Sequence, residues 1–69
     1  MVLGAEDLEK LKHLLEHWIE HSQEHTAKYK DWAEKVRGER KEVSDLLLKA
    51  VERFEEGEEL LKKVKELLE

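Results

Sequence analysis

Apolar residues recur every three or four positions along two long stretches of the chain. In the first, Leu8, Leu11, Leu15 and Trp18 are followed by Tyr29, Trp32 and Val36, and the series is continuous if Ser22 and His25 fill its two gaps. In the second, Val43, Leu47, Ala50, Phe54, Gly57, Leu61, Val64 and Leu68 keep the same spacing. Such spacing lines one face of an α-helix. The pattern predicts a helix over about 5–37 and another over about 41–68, each with a heptad seam, the first polar in its middle. With no proline in the chain, glycine is the only helix punctuation, and Arg37-Gly38-Glu39-Arg40 is the one break. Gly38 is expected to close the first helix in the left-handed conformation, with Lys35 and Arg37 near its negative end. The second helix has no Ser, Thr, Asp or Asn cap, although Glu39 and Glu42 suit its positive end. A loop of about 38–40 makes the helices antiparallel neighbours. The expected fold is all-α, one domain over 1–69 forming an antiparallel two-helix hairpin.

Two helices cannot enclose a core, and each apolar face is wider than one neighbour can cover. Leu46, Leu60 and Leu67 extend the second seam on one flank and Val51 on the other, while the first helix adds Leu14, Ile19 and Ala33. At ~1.5 Å per residue, each helix runs roughly 40–50 Å, longer than a compact monomer of this size. A second copy is the economical cover, giving a homodimeric four-helix bundle. Other partner helices remain an alternative.

Composition narrows the function. The 69 residues are 45% charged and include no cysteine, which excludes a disulfide scaffold and a cysteine zinc finger, and the sequence lacks the strand patterns of a β or α/β fold. Thirteen basic against eighteen acidic residues give a net charge of −5, which argues against nucleic acid and anionic membrane surfaces. No apolar run is long enough for a bilayer, and Met1-Val2-Leu3-Gly4 is too short for a signal-peptide core. The expectation is a cytoplasmic protein.

The chemistry that stands out is histidine. His13, His17, His21 and His25 recur every fourth residue, a step of ~40° around a helix and ~6 Å along it. With Leu8 and Leu15 at a, His25 takes d in the seam, His21 g at its edge, His17 c on the flank and His13 f in solvent. Side chains four apart meet over one turn, so His21 and His25 can share a metal ion, with His17 as a further ligand. Pairing residue i with 78 minus i places Gly57 opposite His21. A mid-helix glycine costs ~1 kcal/mol against alanine, so its use there suggests that a ring or ligand needs the room. Ser22, His21, His25 and Gly57 would then form one roomy polar layer. A two-fold through the middle of the hairpin would bring up to four imidazoles together, with Glu20 and Glu24 orienting them and Glu58 as an oxygen ligand. Zinc is the default ion, with nickel or copper as alternatives.

Plainer readings stand beside this one. His25 can be a neutral buried imidazole that sets register, Trp18, Tyr29 and Trp32 can be packing or a box for a small organic ligand, and Glu55-Glu56 with Glu58-Glu59 read as a solvated face. Catalysis has less support, and no catalytic residue is assigned. The chain has no glycine-rich phosphate loop, no cysteine nucleophile and no strand-to-helix serine, and no glutamate lies three residues before a histidine as di-iron bundles require.

His17-Trp18-Ile19-Glu20-His21 through His25, then Tyr29 and Trp32-Ala33, a short break and a second helix rich in Leu, Ala and Glu, resembles a family of small helical-hairpin domains of uncharacterised function from archaea and bacteria. The resemblance covers most of the chain, and its specific part is His-Trp-x-x-His-x-x-x-His, matched by His17, Trp18, His21 and His25. Ser22 and Tyr29 depart from it, where relatives carry asparagine and phenylalanine. The resemblance implies the hairpin and a role for the histidines but no activity. The expected function is a homo-oligomeric helical protein whose mid-bundle histidine layer binds a transition metal, for assembly or metal handling. The alternative is an interaction module whose buried histidines are structural or sense pH.

Overall fold

A computed structural model describes residues 4–69 and is an antiparallel hairpin of two helices, α1 (Ala5–Val36) and α2 (Lys41–Leu67). The reading of Met1, Val2 and Leu3 falls outside the described residues. At the start of α1 the Asp7 carboxylate accepts a 3.3 Å hydrogen bond from the Gly4 N–H, while the Gly4 carbonyl accepts from Asp7 and Leu8. Glu6 and Asp7 in the first turn and Lys35 in the last suit the helix dipole.

The loop departs from the expected closure. Gly38 does not adopt positive φ, and neither does any other described residue. Instead, Arg37 stays right-handed and the Glu39 and Arg40 N–H groups both donate to the Val36 carbonyl, at 3.1 and 2.8 Å. The helical turn thus runs on to Arg40, whose φ of −137° and ψ of 78° reverse the chain. Because these bonds satisfy the Val36 carbonyl, a left-handed residue has no vacancy to fill. Arg40 caps α2 without a side-chain hydrogen bond, and its Nε donates to Glu42 at 2.6 Å. That contact holds the Glu42 carboxyl below the usual carboxylate range, so it is present at neutral pH and fades as acid titrates Glu42.

The side chains sort into three lines, each offset from the next by one residue and therefore by about 100° around the helix. The line between the helices is Leu15, Ile19, Ser22, Thr26, Tyr29, Ala33 and Val36 on α1, with Ser44, Leu47, Val51, Phe54, Glu58, Leu61, Lys65 and Leu68 on α2. Its buried members are Leu15, Ile19, Thr26, Ala33, Ser44, Val51 and Glu58. Each large apolar group removed from water there contributes roughly 1.5–3 kcal/mol. One residue later along each helix the line is polar: the ion pair of Lys30 with Glu55 crosses it at 2.9 Å, and Glu16 on it reaches Lys65 of the contact line at 3.6 Å. One residue earlier, the line is Leu11, Leu14, Trp18, His21, His25, Lys28, Trp32 and Lys35 on α1, with Val43, Leu46, Ala50, Arg53, Gly57, Leu60, Val64 and Leu67 on α2, mostly apolar but broken by Lys28 and Arg53. Trp18, Trp32, Leu46, Leu60 and Leu67 stand exposed on it.

The expected seam is therefore corrected. Positions 15, 22, 29 and 36 lie in the contact with α2, but Trp18, His25 and Trp32 are exposed, and Ile19, Thr26 and Ala33 are the residues buried in their stead. In α2, Ser44, Val51 and Glu58 likewise replace Val43, Ala50 and Gly57 as the most buried residues. The sequence pattern marks the middle of a wide apolar arc. The hairpin contact lies on one flank of that arc, and the open line lies on the other. Since the helices are antiparallel, the same offset on both puts the two open lines on one side of the hairpin.

Candidate functional site

Midway along the hairpin, Glu58 carries the one carboxylate buried among the described residues, 6% exposed. Its Oε2 accepts from Ser22 Oγ at 2.5 Å and lies 2.8 Å from Thr26 Oγ1. Thr26 Oγ1 is also 2.8 Å from the Ser22 carbonyl, so its single proton is shared between two acceptors. Helical spacing explains the arrangement: residues 22 and 26 stack one turn apart and present both hydroxyls to one point on α2. Every buried side-chain polar atom among the described residues has a partner. The polar layer expected from Ser22, His21, His25 and Gly57 is replaced between the helices by a cluster of Ser22, Thr26 and Glu58, and the two histidines stand outside it, exposed. Glu58 does not lie on a solvated face, and Thr26 was not anticipated from the sequence.

All four histidines are exposed in the single chain, so none is a seam residue there. His13 lies against Glu9 and Glu16 at 3.6 and 3.9 Å. The His17 and His21 rings meet edge to face with centroids 4.5 Å apart. His25 turns the other way and stacks on Tyr29 at 6.2 Å, and Tyr29 packs on Phe54 at 5.6 Å. Ser22, His25, Thr26, Tyr29 and Phe54 line a hollow of about 220 Å³. The expected His21 and His25 pair is thus split between two neighbours. Among the described residues of one chain, no three His, Asp or Glu side chains converge as a metal site.

The register also differs from 78 minus i. Ser22, expected opposite 56, meets Glu58, and Lys30, expected opposite 48, meets Glu55. The helical turn that carries α1 on to Arg40 moves the reversal toward α2, which accounts for the direction of the slide. Gly57 is consequently level with His25 rather than His21. A methyl group built there would meet nothing within 4 Å, so no ring of this chain requires the glycine. Gly57→Ala should therefore stabilise the hairpin by up to about 1 kcal/mol. Thermal unfolding of the monomeric hairpin should report this as a rise of roughly 4–8 °C, and a fall there would show that Gly57 is required within the chain.

The open line is the second feature of the site. Large apolar groups on it alternate with small ones, Ala50 and Gly57, and His21 and His25 lie at its centre. Lys35 covers the outer Trp32 ring, with Nζ 4.6 Å from the ring centroid. No described helix is long and apolar enough to cross a membrane.

No curated protein and no solved structure matches the chain. A family model does match, over residues 11–68, which take in most of α1, all of α2, the four histidines and the Ser22, Thr26 and Glu58 cluster. The chain belongs to the family described as Domain of unknown function (DUF8180).

Proposed function

We propose that the protein is an association module in which two hairpins pair through their open lines as a homodimeric four-helix bundle. The observation that carries this is the second heptad line, apolar over most of both helices though interrupted by Lys28 and Arg53, and turned about a right angle away from the partner that the hairpin itself supplies. In a four-helix bundle each helix touches two neighbours, and its apolar arc is centred between them. The arc in this sequence is centred in that way.

Size supports the same reading. The Cα radius of gyration is 16.1 Å, whereas a compact chain of this length has roughly 11 Å. The chain exposes 5756 Å², against roughly 4,500 Å² for a compact 8.2 kDa monomer. The excess, on the order of 1,000 Å², is comparable to one partner's share of a standard interface, about 800 Å². A second copy suits it because the line carries large groups and small ones that can interlock about a two-fold. Sedimentation equilibrium in chelator, from low to high micromolar, should give the mass of two chains. A monomer throughout would end the proposal, and a dimer that yields to an added helical partner would reassign the surface.

A finer version makes this assembly metal-dependent, with zinc, or nickel or copper, held by His17, His21 and His25. The contact between His17 and His21 favours it. Without a metal the same imidazoles would be structural groups whose protonation opposes docking. The same proposal places the protein in the cytoplasm, acting without catalysis, with His-Trp-x-x-His-x-x-x-His as a family signature. The net charge of −5 continues to disfavour nucleic acid and anionic membranes as partners.

A further inference from the structure

We infer that His17 and His21 form half of a transition-metal site that a second copy of the chain completes. This rests on the paired-hairpin reading above. The two rings lie on successive turns with centroids 4.5 Å apart, close enough for one nitrogen from each to reach a single ion after small rotamer changes. His21 belongs to the open line, and His17 borders it on the solvent side. The pair therefore sits at the rim of the docking face, where an ion can enter after association. His25 is held separately, stacked on Tyr29 beside the hollow, and His13 lies between Glu9 and Glu16. These two histidines are left out of the site.

One chain supplies two imidazoles, and a tetrahedral ion takes four ligands. Among the described residues nothing in the same chain brings the count to three. A two-fold partner supplies the missing pair without any further sequence requirement. Position favours this, because α1 runs from Ala5 to Val36 and the pair is centred on residue 19, close to its middle. If the α1 helices pack antiparallel about their centres, the two pairs arrive at the same level. Glu20 and Glu24 neighbour the pair on α1, where their carboxylates can accept hydrogen bonds from the outer ring nitrogens of metal-bound imidazoles.

The test uses the full chain, stripped with chelator and titrated with zinc sulfate. We expect one zinc per two chains by calorimetry, and a dimer dissociation constant lowered roughly 5- to 150-fold in sedimentation, the usual span of coupling between sites. The H17A/H21A variant should lose both effects, its dimer dissociation constant being the same with and without zinc. The H13A/H25A variant should retain both. A zinc-free dimer whose affinity zinc leaves unchanged would overturn this inference while the association reading stands. Zinc binding that survives H17A/H21A would overturn it as well. A monomer with and without zinc would overturn both.

Discussion

Glutamate at Trp18 and Leu46 together should leave the hairpin folded and make it monomeric. Both side chains lie on the open line, 47% and 69% exposed, and neither belongs to the line between the helices. In a docked pair each would lose roughly 1.5–3 kcal/mol of burial, before any cost of desolvating the new carboxylates. Dimer affinity should fall by about 100-fold or more, while far-ultraviolet circular dichroism keeps its helical signal. Leu48→Glu is the matched control. Leu48 is also exposed, at 42%, but it stands on the polar line with Glu55 and Lys62, so the same charge there should leave the dimer constant unchanged. If the Trp18 and Leu46 variant kept the wild-type mass at every concentration, the open line would not be the interface.

The elements were legible in the sequence for a simple reason. With no proline and one short break, the three-and-four spacing could continue only as two helices, and their bounds fall within about a residue of the expected ones. The rotation of each helix was not legible, because an arc served by two neighbours looks, in one dimension, like a single broad seam. Ile19, Ala33 and Val51 were the signal. Each lies off the expected seam, and each is buried against the other helix. Thr26 was missed, and Glu58 was read as a metal ligand or a solvated residue, because their types suit solvent, and only the stacking of Ser22 with Thr26 makes a buried carboxylate acceptable there. The same rotation displaced the histidines: His25, expected in the seam, is exposed on the open line and stacks on Tyr29, while His21 meets His17.

The buried carboxylate leads to a prediction in which the sign depends on how many partners are changed. Thr26→Val alone should destabilise the hairpin by about 1–3 kcal/mol, since a hydrogen bond to a charged group is lost and the carboxylate stays buried with one donor fewer. Replacing the whole cluster, as Ser22→Ala, Thr26→Val and Glu58→Leu, should restore wild-type stability or exceed it by roughly 1–4 kcal/mol, because no polar group then has to leave water. Chemical denaturation measures both, ideally in the Trp18 and Leu46 background so that association does not enter. The cluster's use would lie in specificity. Its hydroxyls and carboxylate meet in only one register, whereas leucine, valine and alanine tolerate a slide of α2 along α1. The triple variant should accordingly be more stable and less uniquely ordered, with multiple or broadened amide resonances along both helices. A triple variant that lost stability like the single one would show that the cluster is a net source of stability, and a sharp single spectrum would show that it does not set the register.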